Sequence, residues 1–399
     1  MKLLSVKMND FLYYVGVNDR DTHLFENIWP LENGVSYNSY LIVAEKTALL
    51  DTVKITKVSD FTTKLREAIG DRDLDYLVVH HMEPDHSGSI ETIRELYPNV
   101  KIVGNKKTIE FLNEFYGITD NLVEIKDGES LDLGSRKLTF YTTPMVHWPE
   151  SMVSYEEYSK TLFSQDAFGG FGALDGTIFD DEINLDFYHS ETRRYYSNIV
   201  GKFSKSVQFA LKKLSPLDIK MVCPVHGPIW RANPGKIIEL YDKWSSYQVE
   251  EGVIICYGSM YGNTQTMAEV IARELAEQGI KNIKIFDVSK THHSYILSEI
   301  WKYKAVILGS CTYNNDMFPV MSNLVNTLRM NKIENHLIGV FGSYSWSGGA
   351  VKSLKEFAED GKYELIEPVV EAKCTAKEAD IEELKKLAKN IADKLKADR

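Results

Sequence analysis

His81-Met82-Glu83-Pro84-Asp85-His86 decides the reading of this chain. Four metal-capable side chains fall within six residues, directly after the apolar run Tyr76-Leu77-Val78-Val79. That run reads as a buried strand, so the cluster occupies the loop leaving its C-terminal end. A loop anchored on a core strand can hold several ligands in fixed geometry, whereas a free surface loop cannot. The plain alternative is a polar loop with two unrelated histidines.

Three further positions extend the cluster. His147 follows Pro144-Met145-Val146, Asp166 follows the apolar Leu162-Phe163, and His226 sits in Cys223-Pro224-Val225-His226-Gly227-Pro228. Each stands at the end of a strand candidate, near glycine or proline, so loops at one edge of a sandwich can bring all seven side chains together. Four imidazoles and three carboxylates are too many for one tetrahedral zinc and suit two metals. Oxygen-rich mixed sets favour iron or manganese over zinc. Two divalent ions balanced by three carboxylates and one hydroxide are nearly neutral, which makes burial tolerable.

Around this cluster, residues 1–249 hold short strand candidates with helical stretches between them, such as Asp60 to Ile69 and Ser89 to Leu96. This mixture predicts packed sheets flanked by helices, an α/β sandwich. From Val253 the pattern becomes a strict alternation of apolar strand and amphipathic helix. Val253 to Tyr257 reads as a buried strand, and Thr264 to Gln278 as a helix with Met267, Val270, Ile271 and Leu275 on one face. Thr375 with Glu378 three residues on reads as a capping box opening the last helix, which carries Leu384, Leu387, Ile391 and Leu395. Residues 252–399 thus read as a doubly wound parallel sheet of one ordinary domain, with the boundary near 248–252.

The loops of this second half carry their own chemistry. Ser259-Met260-Tyr261-Gly262-Asn263-Thr264 lies between the first strand and its helix. Hydroxyls and backbone N–H groups at a helix start form a phosphate cradle; an ordinary helix cap is the plainer explanation. Ser310-Cys311-Thr312-Tyr313-Asn314 and Ser343-Tyr344-Ser345-Trp346-Ser347-Gly348 follow later strands. Both stand at strand C-terminal ends, where open α/β sheets bind ligands. Tyr313 and Trp346 are the candidate stacking partners, against interface packing as the alternative. The spacing matches neither a dinucleotide fingerprint nor a Gly-Lys-Ser/Thr phosphate loop.

Composition narrows the class. The chain has 399 residues, a 44% apolar fraction and a formal charge of -11. That charge argues against a nucleic-acid binder, which needs a basic face. No window approaches the uncharged apolar length of a membrane span, and the N-terminus lacks a signal-peptide core, so a cytoplasmic location is expected. Cys223, Cys256, Cys311 and Cys374 form no Cys-x-x-Cys pair. This excludes a built-in rubredoxin-type iron site or a zinc ribbon.

His81-x-Glu83-x-Asp85-His86 with His147, Asp166 and His226 resembles the metallo-β-lactamase superfamily, and within it the flavodiiron proteins. Zinc hydrolases of that superfamily usually have histidine where Glu83 stands, and a carboxylate there moves the site toward iron. The resemblance spans nearly the whole chain. It implies a metallo-β-lactamase-like αββα sandwich followed by a flavodoxin-like domain, with His81, Glu83 and His147 on one iron, Asp85, His86 and His226 on the other, and Asp166 bridging. It also implies a non-haem, oxo- or hydroxo-bridged diiron site and flavin mononucleotide (FMN) in the second-half loops. The implied activity is reduction of O2 to water, of NO to N2O, or of both. Electrons would come from an external donor: a rubredoxin-like protein, a reduced deazaflavin or an NAD(P)H-linked reductase. A head-to-tail homodimer, or a pair of such dimers, would bring flavin and irons together. The rival readings are an enzyme acting mainly on NO, a metallohydrolase fused to a flavodoxin electron carrier, and an electron carrier with a structural first domain.

Two details complete the expectations. Where many flavodiiron members have histidine in Asp-x-Phe-Gly-x-His, this chain has Phe171, predicting a more apolar shell around the second iron. Asp51 resembles a supporting aspartate of the superfamily, while His80 should point away from the metal face by strand alternation.

Overall fold

The computed structural model describes residues 5–397, which divide into two compact units after Ser245. In the first unit, two sheets face each other. One has seven strands and runs, in spatial order, through Val6–Lys7, Leu12–Tyr14, Tyr40–Val43, Thr47–Leu50, Tyr76–Val78, Lys101–Gly104 and Leu122–Glu124. The other has five strands in chain order, from Ser130–Asp132 to Met221–Pro224. Leu12, Ile42, Leu50 and Val78 of the first sheet share one buried cluster with Leu138, Phe140, Met152 and Phe163 of the second. Each such side chain contributes roughly 1.5–3 kcal/mol on burial.

Helices cover the outside of this sandwich for local reasons. Val58–Ile69 buries Phe61, Leu65 and Ile69 at helical spacing. Lys106–Tyr116 starts where the Asn105 side chain accepts from the N–H groups of Lys107 and Thr108, and it stops at Gly117 with φ 64°.

Strand direction positions the loops of interest. Tyr76–Val78 runs parallel to both neighbours. Thr161–Gln165 runs parallel to Met221–Pro224, with Gln165 paired to Pro224. Asp166 and His226 therefore leave the sheet at the same end. A bond from Met152 N to His80 O, 3.2 Å, ties the two sheets together beside the opening cluster.

The second unit is a five-stranded parallel sheet ordered Ile283–Asp287, Glu250–Gly258, Tyr303–Tyr313, Leu337–Tyr344, Glu364–Lys373, with the short strand Asp316–Met317 pairing antiparallel beside it. In chain order this is 2-1-3-4-5, the flavodoxin-like arrangement. Met267, Ile271 and Leu275 of helix Asn263–Glu277 are buried with Leu384, Leu387, Ile391 and Leu395 of helix Glu378–Ala397. The expected start of the last helix at Thr375 is corrected to Glu378. Thr375 Oγ1 turns instead to Asn263 Oδ1 at 3.3 Å, and Asp380 accepts from Lys377 N at 2.8 Å. Among the described residues, no helix is long and apolar enough to cross a membrane.

His336 gives this unit a pH signature. It is buried, with Nε2 donating to Ile300 O at 2.8 Å. Burial pushes its pKa down to about 4, below the ~6.5 of a free histidine. Between those values the unfolded chain binds a proton that the folded chain does not. The stability linked to the neutral ring is therefore complete above about pH 6.5 and is lost as pH falls through about 4, with a limit of about 3 kcal/mol. His336→Asn is expected to flatten this dependence, which urea denaturation of both proteins near neutrality and under mild acid would measure.

Candidate metal centre and flavin cleft

The opening cluster owes its shape to Pro84. Glu83, preceding a proline, is extended (φ -59°, ψ 137°), and Pro84–Ser87 then forms a single helical turn with proline at its start. The chain turns sharply between Glu83 and Asp85, so one six-residue run serves two clusters. His81, Glu83, His147 and Asp166 form the first; Asp85, His86 and His226 form the second. All seven residues predicted from sequence converge.

Asp166 faces both clusters. Its Oδ2 stands 3.0 Å from His81 Nε2 and 3.3 Å from His147 Nε2. Its Oδ1 stands 3.4 Å from His86 Nε2 and 3.5 Å from His226 Nε2. Glu83 Oε2 lies 3.2 Å from His81 Nε2 and 3.1 Å from His147 Nε2. Asp85 Oδ2 lies 3.2 Å from His86 and 3.3 Å from His226.

These spacings fit metal ions. Two donors each about 2.1 Å from one ion and 90–109° apart lie about 3.0–3.4 Å from each other. Both carboxylate oxygens of Asp85 and of Asp166 are buried without a hydrogen-bond partner, although imidazole nitrogens stand close by. His86 Nε2 and His226 Nε2 also meet at 3.0 Å. The Asp85 and Asp166 oxygens, crowded by imidazole nitrogens yet without hydrogen-bond alignment, are aimed at a common point between the donors. The donors are nitrogen and oxygen only, which suits iron or manganese.

The electrostatics agree with this convergence. Burial alone would lower the His86 and His147 pKa values, but facing carboxylates outweigh it. His86, beside Asp85 and Asp166, is pushed up to about 10. His147, beside Asp166 and Glu83, is pushed up to about 9. Burial would raise the Asp166 carboxyl, yet His81 and its neighbours hold it well below the usual range.

Supporting contacts fix the ligands. Glu150 Oε1 lies 2.8 Å from His81 Nδ1 and accepts from Met82 N at 2.9 Å. His226 Nδ1 lies 2.7 Å from the Ser36 carbonyl. Gln165 accepts from Asp166 N at 2.6 Å and donates to the Val146 carbonyl, joining the Asp166 and His147 loops. Glu150, Ser36 and Gln165 carry no sequence signal, because each acts through a fold contact. Asp51 holds His80 rather than a converging histidine: its Oδ2 lies 2.7 Å from His80 Nδ1, and His80 Nε2 lies 2.8 Å from Ser154 Oγ. Of the remaining histidines, His189 stacks on Trp230 with ring centroids 5.6 Å apart.

The second cluster sits in an aromatic shell. Phe25 and Tyr195 each have ring centroids 5.4 Å from His226, and Tyr37 lies at 5.7 Å. Fully buried Phe171 stands behind them, 5.4 Å from Phe25 and 5.1 Å from Tyr195. The Arg194 guanidinium covers the Phe171 ring at 4.3 Å and pairs with Glu191 at 2.6 Å. The shell is thus apolar around His226, with one buried ion pair behind it.

In the second unit, Ser259, Met260, Tyr261, Asn263 and Thr264 line one cleft with Cys311, Thr312, Ser343, Tyr344 and Ser345. Gly262 (φ 94°) makes the turn into the helix, and its N–H donates to Ser259 Oγ at 3.1 Å. Thr264 Oγ1 meets Ser343 Oγ at 2.9 Å across the cleft. Ser310 lies beneath it, accepting from Phe318 N at 3.0 Å. Tyr313, Asn314, Trp346, Ser347 and Gly348 do not line the cleft; Tyr313 is 43% exposed with its ring edge-on to Phe318 at 6.1 Å, and Trp346 is 89% exposed. Cys374 lines the cleft from a strand end that sequence reading left out.

Comparison with known proteins adds independent findings. Residues 35–227 match the ODP family beta lactamase, and residues 255–387 match flavodoxin. A nitric oxide reductase of Moorella thermoacetica is 35% identical, with 98% of each chain covered. An anaerobic nitric oxide reductase flavorubredoxin of Escherichia coli O6:K15:H31 is also 35% identical, over 91% of this chain and 77% of that protein. Among solved structures, the rubredoxin oxygen:oxidoreductase of Desulfovibrio gigas superposes with a TM-score of 0.94 at 32% identity, covering 98% of this chain and 99% of that one. The flavodiiron protein of Giardia intestinalis reaches a TM-score of 0.94 at 27% identity, covering 98% of this chain and 97% of that one.

Proposed function

Since this chain belongs to the flavodiiron protein family, we propose that it is an oxidoreductase reducing O2 to water, NO to N2O, or both, with two iron ions and FMN as its cofactors. The observation that carries this reading is Asp166, which turns one carboxylate oxygen to each cluster of converging donors. We assign His81, Glu83 and His147 to one iron, Asp85, His86 and His226 to the other, and Asp166 to both. The bound irons supply a Lewis-acidic, redox-active pair, and FMN supplies two electrons at a time.

The remaining work falls to the chain's own groups. Glu150 keeps the His81 ring oriented through Nδ1, leaving Nε2 for the metal. The Ser36 carbonyl does the same for His226. Phe25, Tyr37 and Tyr195 wall the His226 side with aromatic surface, which admits a small neutral gas and disfavours water. The Ser259 to Thr264 turn offers hydroxyls and helix-start N–H groups to the FMN phosphate. Tyr313 and Trp346 would cover the isoalloxazine.

Electrons are proposed to arrive from an external donor, since the four cysteines supply no closely paired thiolates for a built-in rubredoxin site. We also propose a head-to-tail homodimer, because electron transfer needs short distances and the flavin of one copy facing the irons of another would supply one. A cytoplasmic setting suits four cysteines that are all free thiols.

The names of the relatives divide between NO and O2. The test is anaerobic purification, iron and flavin assay, and steady-state consumption of each gas with a saturating artificial donor. Two irons per chain, a bleachable yellow chromophore and turnover of at least one gas are expected. Zinc with hydrolase turnover, or no bound flavin, would overturn the proposal.

A further inference from the structure

Tyr313 and Trp346, the two rings assigned to the isoalloxazine, stand on separate loops, and neither lines the flavin cleft. Their placement therefore depends on the backbone that carries them. Tyr313 rides on a tight hairpin, in which Thr312 pairs with Met317 and Tyr313 with Asp316. Asn314 and Asn315 at its tip have φ 49° and 59°, the left-handed pair that a two-residue turn needs and asparagine tolerates. Asp316 fastens this hairpin to helix Ala350–Asp360. Its Oδ1 accepts from Ser353 Oγ on that helix and from Met317 N, both at 2.7 Å. Thr312 Oγ1 adds a second tie, accepting from Ala350 N at 3.3 Å.

Trp346 rides on the turn between strand Leu337–Tyr344 and the same helix. This turn ends in Gly348-Gly349, and both glycines are closed in. A side chain on Gly349 would run into the Asn315 carbonyl at the hairpin tip. A Cβ on Gly348 would stand 2.9 Å from Glu371 Oε1 and 3.3 Å from Oε2. Glu371 thus lays its carboxylate directly against the Gly348 backbone. It reaches there from strand Glu364–Lys373, where it is paired with Gly342. Partial burial raises its carboxyl above the ordinary value, and the Gly349 N–H acts against that rise. Hairpin, turn and last strand are therefore joined at Gly348-Gly349 into one block.

We propose that Asp316 and Glu371 are positioning residues for the flavin: one through Ser353 and the other through Gly348, they hold the block that carries Tyr313 and Trp346, so that the two rings need little ordering when FMN binds. This rests on the FMN reading above. Neither carboxylate lines the cleft itself.

The experiment is titration of flavin-stripped full-length protein with FMN, read by flavin fluorescence. Wild-type protein is expected to bind one FMN per chain, with its emission quenched by the covering rings. Asp316→Ala and Glu371→Ala should each bind FMN about tenfold more weakly, as the ordering of two side chains on binding predicts. Both should leave the bound flavin brighter at saturation, which a loss of stability alone would not do. The double variant should lose less than the product of the two single losses, because both changes release the same block. Ser353→Ala removes the Asp316 contact from the helix side and should reproduce Asp316→Ala, so the test survives a folding defect in the latter. Glu359→Ala, an exposed carboxylate further along the same helix, should bind and quench as wild type does. Wild-type affinity and emission in Asp316→Ala and Glu371→Ala, or losses that multiply in the double variant, would overturn the proposal. Failure of the wild-type protein to bind FMN would instead refute the FMN reading, and this inference with it.

Discussion

Asp166→Ala is expected to remove iron from both halves of the metal centre and to lower gas consumption by more than about a hundredfold, beyond the 10–100-fold typical of losing a ligand's supporting partner. Among the described residues, this carboxylate is the one group whose two oxygens address both clusters, at 3.0 and 3.3 Å on one side and 3.4 and 3.5 Å on the other. Without it, each cluster keeps three donors, and two divalent ions would face only Glu83 and Asp85 as counter-charges. Desolvated charges left unbalanced in this way are strongly unfavourable. Asp166→Asn keeps the shape and removes the charge, so it should lose iron with little change in fold. Elemental analysis and a gas electrode read both effects. Retention of two irons and wild-type turnover in either variant would rule out Asp166 as the shared ligand.

Glu150→Ala comes second in expected size. Its carboxylate is buried, faces His81 Nδ1 at 2.8 Å and accepts from Met82 N at 2.9 Å. Alanine leaves a buried ring nitrogen and a backbone N–H without partners. Loss of such a partner costs about 10–100-fold in metal affinity, and the orphaned donors cost about 1–3 kcal/mol in stability. Glu150→Gln retains an acceptor on the same frame and should lose less on both counts. Chelator competition and urea denaturation separate the two effects. A Glu150→Ala protein with wild-type iron affinity would show that the His81 ring is fixed by other contacts.

The converging set was legible in the sequence because each member is a nitrogen- or oxygen-donor residue near a strand end, where geometry is fixed and loops are free to carry chemistry. His81 to His86 shows this best: the apolar run ahead of it, the proline within it and the density of donors all survive in one dimension. The parallel sheet of the second unit was legible for a similar reason, since alternating apolar strands and one-sided helices repeat along the chain. The start of the last helix was not, because Thr375 is drawn to Asn263, 112 positions away, instead of capping its own helix. Asp51 reads from the sequence either as a supporting residue or as a turn residue after its strand, and only the fold shows that it holds His80, outside the converging set.

Sequence by itself determined the kinds of donor, their order and the two-part architecture, since these depend on residue chemistry and on short-range periodicity. Tertiary structure alone decided that Asp166 turns one oxygen to each cluster, that Glu150 steadies His81, and that the Ser36 carbonyl holds His226. Those roles arise from contacts between residues tens to well over a hundred positions apart, such as Gly227 N with Ser36 Oγ, 191 positions apart. Spacing along a chain does not encode such contacts, because they exist only once two sheets have packed face to face.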